Sequence, residues 1–451
     1  MISNPMSLIW AEGMTGDKAL APVLRRYHLA AERLKDKSLN HTDLGLAYQE
    51  KEKAQAIYEE LTIEAENKLK DAAKKNEPRT HMLIVGVGRY IDKNIQSVTT
   101  SIHGATAFAE WALNRFVHLD RPLGSVAMLL SLPDEMPTWK PTYSITTKLC
   151  LNSGEDLPLD TATFNNIESA FKSMVYRACT SLDNALVFYF AGHGLWKFNP
   201  YILSEDASYA GFDNLIDPKG TLALMLNKPP KTQLFFIDAC QELSPSLIED
   251  LKPSSGKPLW NDTTGAYVKR DSKIYYSSFP GEEVGGDKNK PPFFTQQLLE
   301  CLEKRSARDQ VGNYWATTST SLRFAVEAAK DRINELSQQE MCSFQLIPDR
   351  DDYETVICHV DTKPSEIFVR VKCQPIDYMA NIIPYIIDQN GNQEKREVSK
   401  NTDWVTTVDN SEYTVGANPI PSFCQKISSQ SVKFFPPVEV VTLVVYKEIG
   451  S

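Results

Sequence analysis

The middle of the chain is organised as apolar runs separated by amphipathic ones. HMLIVGVGRY (81–90) is continuously apolar for most of its length, without the alternation of a strand that has one wet face. Such a run predicts a strand buried on both sides. SVAMLLSLPD (125–134), ALVFYFAG (185–192), TQLFFIDAC (232–240) and KIYYSSFPG (273–281) read as further strands. Between them lie segments with helical periodicity: SIHGATAFAEWALNRF (101–116), TATFNNIESAFKSMVYRAC (161–179), GTLALMLNK (220–228) and FFTQQLLECLE (293–303). The second of these puts Phe164, Ile167, Phe171 and Met174 on one face. Strand and helix in alternation predict an α/β fold, a mainly parallel sheet sandwiched by helices.

The ends of the chain follow other patterns. Residues 1–78 carry apolar positions at helical spacing, Leu24, Tyr27, Ala31 and Leu34 and then Ala47, Ala54, Ile57, Leu61, Ala65 and Leu69, with a breaker and cap in KSLNHTD between them. They predict a helical hairpin, either a packing appendage or a partner-binding element. Toward the other end, EIFVRVKC, IIPYIID, WVTTV and VEVVTLVVY are rich in β-branched and aromatic residues, with QNGN as a hairpin turn. These predict a small β-sandwich-like domain. The expected division is 1–78, 79–360 and 361–451.

Composition narrows the function. A net charge of -10 over 451 residues argues against a general nucleic-acid-binding surface. No apolar run approaches the length of a membrane helix. The N-terminus lacks the basic and apolar regions of a signal peptide. The eight cysteines stand singly, with no C-x-x-C pair, so neither structural zinc nor a disulfide framework is expected and a reducing, cytoplasmic setting fits. GVGRY after the first strand lacks the third glycine of a dinucleotide loop, and no G-x-S-x-G, H-E-x-x-H or P-loop string occurs. No cofactor and no metal are expected.

Two strand ends carry chemistry. In open parallel sheets, sites form at the carboxyl ends of the strands. ALVFYFAG runs into Gly192-His193-Gly194, and TQLFFIDAC ends at Cys240. Taken singly, a histidine between glycines reads as a strand cap and a cysteine on an apolar strand as inert core. Together they supply a thiol nucleophile and an imidazole that can take and return its proton. The backbone N–H groups of Gly194 and Cys240 are natural donors to a developing oxyanion.

The order and spacing of the pair, His193 before Cys240, resemble caspase-like peptidases, especially their bacterial and metacaspase-like branches. The resemblance spans roughly 79–360. LVFYFAGHG is similar to the histidine strand, FFIDAC to the cysteine strand, and PYILSEDA, IYYSSFPGEE and PPFFTQQLLECL to segments that follow them. It implies a caspase-like sheet, His193 as general acid/base, Cys240 as nucleophile, Gly194 and the Cys240 amide as oxyanion donors, and Asp238 and Ser278 as substrate-binding residues. The chain departs from aspartate-specific caspases. Asp238 stands where they have glutamine, and Ile102 and Gly286 stand at the places of their two pocket arginines. Gln241-Glu242 after the cysteine also differs. An acidic pocket floor attracts Arg or Lys and repels Asp, so cleavage after basic residues is expected.

The thirty or so residues after Cys240 form a long Pro/Ser/Gly-rich loop, and in caspase relatives such a segment is commonly cut during activation. Lys269-Arg270 would suit self-processing by a basic-specific enzyme. The resulting expectation is a cysteine endopeptidase acting on protein substrates. It is gated by an activating protein or a nucleotide-type ligand at the N- or C-terminal region, as in stress or antiviral-defence effectors. The rival is a caspase-fold signalling scaffold without turnover.

Overall fold

The computed structural model describes residues 8–10, 26, 30, 33–34, 39–133, 160–196, 199–208, 213–239, 256–265, 269–277, 289–337, 345–348, 354–420 and 426–446. The chain divides into two compact units, Met1–Gln296 with Gln345–Tyr353, and Gln297–Phe344 with Glu354–Ser451.

The first unit is built on a seven-stranded sheet. Its strands are β1 (Leu8–Trp10), β2 (Thr80–Val87), β3 (Leu123–Ser131), β4 (Ala185–Gly192), β8 (Thr232–Ala239), β10 (Asp271–Tyr276) and β13 (Gln345–Pro348), in the order β1-β3-β2-β4-β8-β10-β13. The five inner strands are parallel, and the edges β1 and β13 run antiparallel. The α/β sandwich expected from the alternation is therefore present. β2, β4 and β8 have strands on both sides and helices over both faces, which is why their sequences show no polar alternation.

Successive residues of β4 point to opposite faces, and each meets a different helix. Tyr189 stacks on Phe108 of α2 (Thr99–Asn114) at 4.4 Å between ring centroids. Phe188, on the other face, meets Phe171 of α3 (Phe164–Ala178) edge-on at 5.6 Å, and Phe171 also meets Phe235 of β8 at 5.9 Å. The predicted face of α3, Phe164, Ile167, Phe171 and Met174, is buried throughout. Its first turn is held by the Thr163 hydroxyl, which accepts from the Asn166 N–H at 3.4 Å, and by Asp206, which accepts from the Phe164 N–H at 2.7 Å.

The first glycine of GVG has a packing role. A Cβ at Gly86 would stand 2.7 Å from Leu130 and 2.8 Å from Ala105, so the bare backbone is what lets α2 lie close on β2.

The second arm of the expected hairpin is α1 (His41–Lys74), capped by the Asn40 side chain, which accepts from the Asp43 N–H at 3.0 Å. Most of the first arm lies outside the described residues. α1 places Ala54, Tyr58, Leu61, Ala65 and Leu69 in the same core as α3 and the sheet. Tyr58 takes the buried position expected of Ile57, which is 38% exposed. A short α4 (Pro218–Leu224) precedes β8, where GTLALMLNK was expected to be helical. Beyond β4 a small sheet forms from β5 (Gly194–Trp196), β6 (Pro200–Ser208), β7 (Asp213–Ile216) and β9 (Gly256–Lys257).

The second unit contains the three-stranded sheet β11 (Asp309–Val311), β12 (Tyr314–Thr318) and β14 (Val356–Val360), and a helix α6 (Ser319–Ser337). Its β-rich part is two four-stranded sheets. One contains β18 (Trp404–Val408), β15 (Ile367–Gln374), β22 (Val438–Tyr446) and β20 (Lys426–Ile427). The other contains β17 (Gln393–Lys395), β16 (Ile382–Ile387), β19 (Glu412–Pro419) and β21 (Gln430–Lys433). Val369, Val371, Trp404 and Leu443 from the first meet Ile386 and Val415 from the second in one core. The QNGN turn joins β16 to β17 as expected, with Gly391 at φ +85. Arg396, almost wholly enclosed, makes a two-pronged ion pair with Glu335 of α6, both contacts 2.8 Å.

Phe171 is the most directly testable point of the central core. Phe171→Ala should lower the unfolding free energy by about 3–5 kcal/mol, read from the urea midpoint. A change below about 1 kcal/mol would contradict the placement of α3 on the sheet.

Candidate active site

The ladder between β4 and β8 is parallel and unbroken to its last pair, Gly192 opposite Ala239. His193 is the next residue after Gly192, and Asp238 is the residue before Ala239. The parallel register therefore brings His193, Gly194 and Asp238 to one rim of the sheet, the carboxyl end. Cys240, Ser278, Gly286 and Gln241-Glu242 lie outside the described residues.

His193 is held on several sides. Its backbone N–H donates to the Tyr90 hydroxyl at 2.7 Å, and its carbonyl accepts from the Leu203 N–H at 3.1 Å. Its half-buried ring lies 5.2 Å from the Tyr90 ring, and Nε2 is 2.9 Å from the Gln96 carbonyl oxygen. A carbonyl only accepts, so this bond places the proton on Nε2 and leaves Nδ1 as the basic nitrogen of the neutral ring. Gly192 has a steric role here. A Cβ on it would come within 3.0 Å of the Tyr90 hydroxyl oxygen that receives the His193 N–H. Gly194 opens β5, buried and paired with Ile202 of β6.

Tyr90 and Gln96 were not expected from the sequence. Both lie in the segment between β2 and α2, and one buried carboxylate organises its start. Glu205 of β6 accepts from Arg89 through Nε at 3.1 Å and Nη2 at 2.5 Å, and from the Ser131 hydroxyl at 3.0 Å. The Ile91 N–H adds a bond to the Glu205 carbonyl at 2.8 Å, and the N–H groups of Gly88 and Arg89 bond to the Ser131 carbonyl at 2.9 and 3.0 Å. The sequence signal was the Arg-Tyr that follows GVG. It is the tie between the first strand's end and the histidine, not part of a phosphate loop.

Asp238 is 4% exposed. Its Oδ2 accepts from the Thr295 N–H at 3.2 Å and from the Thr295 hydroxyl, near the start of α5 (Phe293–Glu300). The Tyr189 hydroxyl in turn lies 2.5 Å from the Thr295 oxygen. Burial pushes the Asp238 carboxyl up to about 6, against the lowering effect of hydrogen bonds from Thr295 and Ser277.

Lys269 and Arg270 lie elsewhere. They precede Asp271, which pairs with Thr232 at the start of β8, so they sit at the amino end of the sheet, about 20 Å along the strands from the rim. Lys269 is exposed, but Arg270 is 0% exposed and donates to the Met225 carbonyl at 3.0 Å and the Lys228 carbonyl at 2.5 Å. A cut after Arg270 would require this strand start to leave the fold first. In the structure Arg270 is a brace for the turn after α4.

The cysteines Cys179, Cys301 and Cys358 are pushed up by burial to about 11, 12 and 12, far from the thiolate form. Among the described residues no group of three or more His, Cys, Asp or Glu side chains is placed to hold a metal ion.

Residues 150–347 match the family model described as a caspase domain, a span that includes both His193 and Cys240. An uncharacterised protein, y4kE, of Sinorhizobium fredii is 24% identical over 267 residues, 58% of this chain and 72% of that protein. Among solved structures, caspase-1 from Spodoptera frugiperda is 13% identical with a TM-score of 0.33, covering 63% of this chain and 89% of that one. A structure described as pro-sf-caspase-1 is 14% identical with a TM-score of 0.31, over 62% and 85%. The chain carries a caspase-like fold.

Two outcomes follow from this geometry. Asp238 titrates near 3.8 when unfolded and near 6 when folded, so its bound proton stabilises the fold. That stabilisation is complete below about pH 4 and is lost as the pH rises through about 6. Relative to Asp238→Asn, wild type should lose up to about 3 kcal/mol between pH 4 and 7.5 in urea unfolding. Parallel curves for the two proteins would refute the buried setting. Arg270→Ala should cost about 2–4 kcal/mol by removing a charged donor that two carbonyls share with Gln233 and by leaving a void where the buried side chain packs. A neutral effect would instead mark Arg270 as a surface residue open to proteolysis.

Proposed function

We propose that this caspase-like protein is a cysteine endopeptidase that cleaves proteins after basic residues, with Cys240 as nucleophile and His193 as general acid/base. One observation carries the reading. Gly192 and Ala239 are paired in adjacent parallel strands, and the imidazole and the thiol each follow by one peptide bond. Chain connectivity alone keeps the two residues within about 12 Å, Cα to Cα.

In the proposed reaction the Cys240 thiolate attacks the substrate carbonyl carbon and a C–S bond forms. The oxyanion is met by the N–H groups of Gly194 and Cys240. The C–N bond then breaks, the amine leaves with a proton from His193, and a thioester remains. His193 takes a proton from water as the hydroxyl adds to the thioester. The C–S bond breaks, releasing the acid and restoring the Cys240 thiolate beside a protonated His193. Because Nε2 is committed to the Gln96 carbonyl, the transferred proton belongs on Nδ1. The Gln96 bond also stabilises the imidazolium that forms.

Asp238 supports the basic preference. It is an enclosed carboxylate beside the nucleophile's strand end, whose negative charge is better matched by a guanidinium or ammonium than by a substrate Asp. Ser278 would line the same pocket. The flanking regions 1–78 and 361–451 are read as regulatory, binding an activating protein or nucleotide-type ligand, and the whole as a cytoplasmic stress or antiviral-defence effector. No helix among the described residues is long and apolar enough to cross a membrane.

Fluorogenic peptides ending in Arg, Lys or Asp test the reading. Wild type should release dye from Arg and Lys substrates, and Cys240→Ala should lose at least about 1,000-fold in kcat/KM. Turnover of the Arg substrate should rise with pH through about 6 as Asp238 ionises, and this limb should disappear in Asp238→Asn. Signal that survives Cys240→Ala would end the peptidase reading in favour of a contaminant. Preference for Asp would end the argument from Asp238.

A further inference from the structure

The second unit holds a cavity of about 400 Å³ with a chemistry unlike the rest of this acidic chain. Arg308, Lys363 and Lys433 line it, and Asp309 is the one carboxylate among its described lining residues. Two aromatic side chains share the wall: Trp315, half-buried on β12, and Phe435, which is 56% exposed. The Lys363 ammonium stands 5.8 Å from the centre of the Trp315 ring, so cation and aromatic plane already occupy one side of the cavity together.

The features call for different parts of one ligand. Lys363, Lys433 and Arg308, the last 3.9 Å from the Asp309 carboxylate, leave the hollow with an excess of positive charge that favours an anion. Exposed and half-exposed aromatic faces favour a planar ring, and a base stacked on such a face is sequence-tolerant. A volume near 400 Å³ lies at the small end of ligand sites, enough for one nucleotide and too little for a folded partner. A phosphoserine or phosphothreonine would use the cations but has no ring for Trp315 and Phe435. Bare phosphate would leave both aromatics idle.

We propose that this cavity is a nucleotide site: the phosphates lie against Arg308, Lys363 and Lys433, and the base stacks on Trp315 with Phe435 as the lip. The assignment does not depend on the peptidase reading, because every residue named belongs to the second unit and binding is measured without turnover.

Calorimetric titration of the full chain with ATP, adenosine and inorganic tripolyphosphate tests it. ATP should bind saturably with Kd below about 1 mM, and adenosine and tripolyphosphate should each bind at least about 10-fold more weakly. The exposed Lys363→Glu/Lys433→Glu pair should weaken ATP by at least about 10-fold at an unchanged melting temperature. Phe435→Ala, also at an exposed position, should weaken ATP about 3-fold or more while leaving tripolyphosphate unchanged. The proposal fails if ATP shows no saturable binding at 1 mM, if the charge reversals leave its affinity unchanged, or if tripolyphosphate binds as tightly as ATP.

Discussion

The parallel pairing of β4 with β8 is the constraint on which the candidate site depends. Two strands far apart in sequence are locked side by side, with Gly192 opposite Ala239 at the end of the ladder. A slip by one residue would turn every side chain of β8 to the other face of the sheet. Phe235 would then leave Phe171, and Phe236 would leave Phe108. The aromatic packing on both faces thus fixes the register, and the register fixes which residues emerge at the rim. Chemistry at the strand ends inherits its precision from a core that has no chemistry of its own.

The rim is supported from outside the two strands as well. His193 is oriented by residues of the β2–α2 segment, and that segment is tied down by Glu205 of β6. A buried carboxylate shared between a guanidinium and a hydroxyl loses much if one partner is removed, which makes this arrangement rigid. Asp238 is held differently, by the first turn of a helix and the Tyr189–Thr295 chain. One rim therefore carries an imidazole oriented through Nε2 and a carboxyl poised near 6. Their environments are built by different elements and can be varied separately.

Much of this was legible in the sequence. The apolar runs could be read as buried strands because helices on both faces remove the polar alternation. His193 stood out because a polar ring between two glycines interrupts such a run. What escaped the sequence was long-range or weakly patterned. The Gln96 partner of His193 acts through its carbonyl, which every residue has, so no side chain advertises it. Glu205 and Arg89 lie 116 residues apart and meet only in the fold. α6 went unread because its buried stripe, Leu322, Ala325, Val326 and Ala329, is mostly small residues with little apolar contrast. Ile57 and Tyr58 are adjacent on α1, and only the packed structure decides which of them turns inward. Arg270 looked like a cleavage signal because a dibasic pair in a loop-rich stretch has no visible partner. In the fold two carbonyls claim it.

The most direct test of the central claim, that His193 and Cys240 form one reactive centre, is covalent labelling. The full chain would be treated with a peptidyl chloromethyl ketone ending in Arg, then analysed by intact mass and peptide mapping. The account predicts one adduct, on Cys240. It also predicts at least about a 100-fold slower adduct in His193→Ala, in which Cys240 still reacts with iodoacetamide. Labelling of Cys240 at the same rate without His193, or labelling directed to another cysteine, would contradict it.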